Sequence, residues 1–222
     1  MVRYVLFCLS LLGSLCVGAE EAREDILIAD FEGGTWGGWV ATGEAFGYRP
    51  ARGTLPGQRP VTGYKGQGLA NSFVNGDWSI GTLTSSPFEI ERRYINFLIG
   101  GGKYPGRTCV NLLIERRIVR SATGTNDRPG GSERLNGHTW DVAELMGQKA
   151  TIQIVDRMQA PWGHVTADHF VQSDTAGQID RQIEMIFDKQ YLNLPVKNGA
   201  GKRRMKVIID GQVVREFEIE LA

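Results

Sequence analysis

Apolar and polar positions alternate in short runs along most of this chain, and almost none of the runs has a helical period. Ile26 to Phe31 is a first apolar run, broken by the flexible aromatic stretch Gly33 to Trp39. Gly81 to Ile90 alternates as a strand, and Tyr94 to Ile99 is a stronger one that ends at Gly100-Gly101-Gly102. Cys109 to Ile114 and Ile118 to Ala122 read as the arms of a hairpin about Glu115-Arg116-Arg117, where Arg116 stands in a place that favours glycine. Ala150 to Asp156 alternates again, and His164 to Phe170 is the last strand of the unit. Residues 47–68, rich in Gly, Pro and Arg, and 124–137, dense in Asn, Asp, Pro and Gly, read as long loops; Trp140 to Gly147 predicts one helical turn. Short strands with turn signals every few residues predict an all-β fold, an antiparallel β-sandwich of the jelly-roll or galactose-binding kind.

The ends of the chain read differently. Arg3 precedes an apolar stretch from Tyr4 to Val17, then Val17-Gly18-Ala19 and two glutamates, which is the order of a secretory signal peptide cleaved after Ala19. That predicts a secreted or periplasmic protein. No other stretch is apolar enough to span a bilayer. The sandwich is expected over 20–172, a linker or short helix over 173–187, and the start of a second, truncated β unit over 188–222. In that last part Lys206 to Leu221 predicts a hairpin about Asp210-Gly211, with Val213, Phe217, Ile219 and Leu221 on one face.

Composition narrows the picture further. Of 222 residues 29 are glycine, which suits many tight turns, and 25 Lys and Arg balance 25 Asp and Glu. With no cationic excess to neutralise phosphates, a general nucleic-acid binder is excluded. Signal cleavage removes Cys8 and Cys16, so the exported chain keeps only Cys109 and has no internal disulfide; Cys109 reads as a small buried hydrophobe.

Candidate chemistry lies in the loops. Trp36, Trp39, Trp78 and Trp162 are flanked by Gly, Asp or Pro, which leaves an indole face open to stack on the C–H face of a sugar ring. The plain alternative is that each ring plugs the end of the sandwich. Asn126, Arg128 and Glu133 in one loop, and His164 leading to Asp168 from another, supply groups that bond to hydroxyls. A glycosidase needs two placed carboxylates, and Asp156, Asp168 and Glu133 are the candidates, but loop-capping suits Asp156, which follows a strand-like run. His138, His164 and His169 lack metal spacing, and a structural calcium ion in the carboxylate-rich loops is left open. No other cofactor is indicated.

Several motifs together resemble a known family. They are Asp30-Phe31-Glu32-Gly33-Gly34-Thr35-Trp36, Gly53 to Gln58, Tyr94 to Gly102, Pro105 to Leu113, Trp140-Asp141-Val142 and Trp162-Gly163-His164. In that order they resemble the N-terminal β-sandwich of bacterial levanase-type fructan hydrolases, similar to carbohydrate-binding modules of the levan-binding kind. Tyr191 to Lys197 and Lys202 to Met205 resemble the segment that continues toward a five-bladed propeller of glycoside hydrolase family 32. The likeness covers residues 26–222. It implies a polysaccharide partner, levan or another fructan, and a catalytic domain downstream. The family's catalytic motifs do not occur here, and Asn126-Asp127-Arg128-Pro129 only imitates one of them. The chain therefore reads as a non-catalytic fructan-binding module. The alternatives are a sandwich that packs on a family 32 catalytic domain without binding sugar, and a glycosidase in its own right.

Overall fold

Strands of four to nine residues cannot bury an apolar face alone, so this chain stacks two sheets with the alternating apolar rows turned inward. A computed structural model describes residues 23–177, 191, 193–200, 202–209 and 212–220. The first sheet orders β1 (Ile26–Ala29), β11 (Val165–Ser173), β6 (Tyr94–Gly101) and β9 (Asn136–Asp141), with β3 (Ala70–Asn71) also paired to β11. The second orders β2 (Val40–Gly43), β4 (Gly81–Thr84), β10 (Lys149–Asp156), β7 (Thr108–Ile114) and β8 (Arg117–Ala122), with β5 (Phe88–Glu89) on β10. Every strand pair is antiparallel. The protein is an all-β antiparallel sandwich, and its one helical element is a 3-10 turn at Ala143–Leu145 among the described residues.

Two local features depart from the simplest reading. The run from Gly81 to Ile90 is two strands, because Pro87 cannot donate to the ladder; the Ser85 hydroxyl bonds the Ile152 N–H at the break instead. The hairpin between β7 and β8 turns on two residues, Glu115 (φ 48°) and Arg116 (φ 67°), so a turn that glycine usually fills is made by two charged residues in left-handed backbone.

The core holds an aromatic cluster. Phe31 meets Trp36 and Trp39 edge-on at 5.8 and 5.2 Å, and Phe97 stacks on Phe170 at 5.0 Å. Trp140 packs on Phe97, and Cys109 is fully buried, which pushes its thiol pKa up. A second, smaller core of Ala51, Val61, Leu69 and Leu135 forms where the long loop over 47–68 folds back on the sandwich, with Leu98 of β6 packed against it. Residues of β11 that face this loop, Thr166 and Asp168, are therefore buried although they lie opposite the main core row of Val165 and Ala167.

A second compact unit begins at Met185. Its described part is the hairpin of β12 (Lys202–Ile209) and β13 (Gln212–Glu220), with Val213 and Phe217 exposed. The expected signal peptide lies outside the described residues, and so does the expected linker or short helix over 173–187 from residue 178 onward; Ser173 itself closes β11.

Candidate functional site

Four loops meet at one end of the sandwich: the long loop over 47–68, 72–79 before β4, 124–135 before β9, and 157–163 between β10 and β11. They enclose a cleft of about 260 Å³ lined by Gln58, Phe73, Asp77, Glu133, Trp162 and His164 among others. His164 is its floor. The imidazole is buried, with Nδ1 2.6 Å from Asp77 and Nε2 2.9 Å from Glu133. Burial alone would lower the His164 pKa, but hydrogen bonds and charge from Asp77 and Glu133 outweigh it and push it up to about 9. The ring is thus an imidazolium held by carboxylates on both sides.

A wider network fixes those carboxylates. Gln58 donates from Nε2 to Glu133 at 3.2 Å, and Asn71 donates to Gln58 at 2.8 Å. Trp162 donates its backbone N–H to Asp77 at 3.2 Å. Phe73 lies edge-on to the imidazole at 4.9 Å, and the Trp162 indole stacks on it at 5.6 Å and 29°. Trp162 holds φ at 61°, a strained value for a bulky residue, and its Nε1 donates to the Arg128 carbonyl at 3.1 Å. Gly131 allows this: a Cβ there would sit 2.9 Å from the indole Cζ2.

Behind the floor lies Asp156, at the end of the core-facing row of β10. It is fully buried and its Oδ2 makes no hydrogen bond among the described residues. Burial pushes its pKa up to about 7, while the charge of His164 pulls it down and that of Asp77 raises it.

The other expected site residues divide. Trp36 and Trp39, expected as exposed platforms, are instead buried in the aromatic core at 8% and 9% exposure, because the glycines around them let the loop turn inward; the Trp39 edge also lines a second cleft beside β1 and Pro87. Trp78 is 65% exposed at the surface. Asn126 is buried and ties its loop to the end of β6, donating to the Gly101 and Ser132 carbonyls at 2.9 and 2.8 Å and accepting from the Ser132 N–H at 3.0 Å. The Arg128 side chain is exposed and pairs with Asp127 at 3.3 Å; only its carbonyl serves the cleft. Asp168 shares a face with His164, but four residues of strand, about 13 Å, separate them. It is buried and caps the long loop, accepting the Lys65 N–H at 2.7 Å and the His169 N–H at 2.7 Å, and burial pushes its pKa up to about 7. No group of three or more His, Cys, Asp and Glu side chains among the described residues is placed to hold a metal ion.

Asp77, Gln58 and Phe73 escaped the sequence reading. Asp77 lies between Gly76 and Trp78, where an acid reads as an ordinary turn residue. Its partner is 87 residues away, so no local spacing could have marked it.

The cleft pairs an apolar side (Phe73, Pro129, Pro161, Trp162) with carboxylate and amide groups, the mix that orients a small polyhydroxyl ligand. Asp77 and Glu133 flank the His164 ring, one at each nitrogen.

No family model matches the chain. Over 156 residues, 69% of its length, the chain is 42% identical to the Aspergillus rugulosus protein named "Putative glycosyl hydrolase ecdE", and the match takes in 22% of that protein. The chain thus spans about a fifth of the length of that relative. Among solved structures it is similar to a cyclase from Fischerella sp. TAU (15% identity, TM-score 0.43, 70% of this chain and 100% of that one). It is also similar to the K2 cleaved adhesin domain of Lys-gingipain (13%, TM-score 0.43, 68% and 99%). A family 35 carbohydrate-binding module from Clostridium thermocellum is more distant (10%, TM-score 0.35, 67% and 97%). Likenesses at this level say nothing about the ligand of this chain.

Proposed function

We propose that residues 23–177 are an accessory carbohydrate-binding module of the levan-binding kind, which holds a β-fructan in the Trp162 cleft without cleaving it. The observation that carries this reading is the cleft floor: an indole and a phenyl ring set against an imidazolium that two carboxylates hold in place. An apolar ring edge beside fixed hydroxyl-bonding groups is what a sugar needs. Motifs resembling those of levanase-type proteins support the choice of fructan. A relative named as a glycosyl hydrolase, matched over about a fifth of its length, supports the view that the module serves a larger hydrolase. In this reading the chain is exported by its N-terminal segment and works beside a family 32 catalytic domain.

The test is affinity gel electrophoresis of the 222-residue chain in levan, inulin and a neutral control polymer. Retardation in levan, lost in Trp162→Ala, supports the reading. A folded chain that migrates freely in all three favours a sandwich that only packs on its catalytic domain. Release of reducing ends from levan by the purified chain would make it an enzyme.

A further inference from the structure

Two aromatic rings on loops bonded to one another stand in solvent. Tyr48 is 100% exposed and Trp78 65% exposed. Large apolar rings left in water on a rigid frame mark an interaction surface more often than scattered small ones do. The frame here is rigid. Loop 44–48 and loop 73–80 are joined by backbone hydrogen bonds from Glu44 and Ala45 to the Ile80 carbonyl (3.0 and 3.3 Å) and from Val74 to the Ala45 carbonyl (3.4 Å). The core residue Trp36 donates its indole N–H to the Gly47 carbonyl at 3.3 Å, directly before Tyr48. Gly47 (φ 62°) and Gly76 (φ 78°) give the two loops their turns.

The same segment builds the cleft. Phe73 and Asp77 line it, while their neighbours Val74 and Trp78 face solvent. The Trp78 carbonyl accepts Gln159 Nε2 at 2.7 Å, which ties the exposed ring's backbone to the loop that carries Trp162. One stretch of backbone therefore carries both the cleft residues and Trp78, and the loop that carries Tyr48 is hydrogen-bonded to it.

We propose that Trp78 and Tyr48 form a second subsite that continues the Trp162 cleft and takes further units of a neutral polysaccharide chain. This rests on the carbohydrate reading of the cleft. The surface suits a polyol. Along loop 73–80 the exposed Val74, Trp78 and Ile80 surround a single exposed amide, Asn75, which can bond hydroxyls beside the Trp78 ring, while Ser79 is buried and Asp77 is engaged with His164. The charges on the two loops are mixed, Glu44 and Asp77 against Arg49, and provide no cluster of cations for an anionic chain. Rings held by the backbone before the ligand arrives lose little freedom on binding.

The test compares levan with free fructose on the full chain. Tyr48→Ala, Trp78→Ala and the double variant are titrated by affinity electrophoresis in levan and by calorimetry with fructose. Each single variant is expected to weaken levan binding by about 3- to 10-fold, and the double variant by more, with fructose affinity and melting temperature unchanged. Trp162→Ala is expected to weaken both ligands. Unchanged levan affinity in the double variant overturns the second subsite while leaving the cleft intact. If that double variant instead converts a dimer to a monomer in sedimentation, the rings are a contact between copies and the proposal falls. If the wild-type chain binds neither ligand, the cleft and the subsite fall together.

Discussion

The Trp162 indole lies over the His164 imidazole at 5.6 Å, within 29° of parallel. Because the imidazole is charged and buried, the indole caps a cation and is held flat by it. The stack makes a separable prediction. Trp162→Ala is expected to reduce levan retention by about tenfold or more, with a loss of only a few degrees in melting temperature, since the ring is only partly buried. Trp162→Phe keeps a stacking face but loses the bond to the Arg128 carbonyl, and an intermediate retention is expected. Paired melting curves and affinity gels check both.

His164 matters to folding as well as to the cleft. His164→Ala leaves Asp77 and Glu133 without their shared cation, and breaking a buried ion pair on one side costs about 3–5 kcal/mol. Urea denaturation of the variant is expected to show a loss of that order. The pH dependence has a definite sign. The folded pKa of about 9 lies above the unfolded value near 6.5, so the His164 contribution is complete below about pH 6.5 and is lost as pH rises through 9.

Asp156 acts in the same direction at lower pH. Its folded pKa of about 7 stands above the usual 3.8, so its contribution is complete below that value and is lost as pH rises through 7. Asp156→Asn keeps the shape and removes the charge. Thermal melts between pH 4 and pH 8 are expected to be flatter for this variant, which gains on the order of a few kcal/mol over wild type at pH 8. A slope unchanged from wild type would show that Asp156 does not titrate in this range. Asp168, pushed up to about 7 as well, adds a slope of its own that the variant leaves in place.

The two core tryptophans should behave as packing residues. Trp36→Ala and Trp39→Ala each remove a large ring from the Phe31–Phe170 cluster, at a cost of about 3–5 kcal/mol. Both variants are expected to show early, broadened melting transitions. Trp78→Ala, with its ring in solvent, is expected to melt as the wild type does.

These outcomes also mark what the chain's pattern could reveal. Period-two alternation in Tyr94–Ile99 and Ala150–Asp156 located β6 and β10, since one face of each had to be buried. The same rule failed at Gly81–Ile90, where Pro87 splits the ladder. Small and polar neighbours beside tryptophan proved ambiguous: Gly37 and Gly38 let Trp36 and Trp39 turn inward, while Trp78, between Asp77 and Ser79, turns outward, and burial is decided by Phe31 and Phe170, which are distant in sequence from one another. His164 and Glu133 were legible as polar residues in loops. Their pairing was not, because Asp77, Glu133 and His164 come from three loops that only the folded sandwich brings together. Asn126 and Asp168 looked like ligand groups for the same reason that they are good loop caps, namely short side chains with free oxygens.

The central claim is that fructan sits against Trp162 and not against the buried indoles. The chain has five tryptophans, so a 15N correlation spectrum should carry five indole N–H signals, assignable by single Trp→Phe variants. On titration with a levan oligosaccharide, the Trp162 signal is expected to shift in a saturable way, with Trp36, Trp39 and Trp140 unmoved. A Trp162 signal that stays in place at saturating oligosaccharide, in a spectrum that is otherwise well dispersed, would contradict the account.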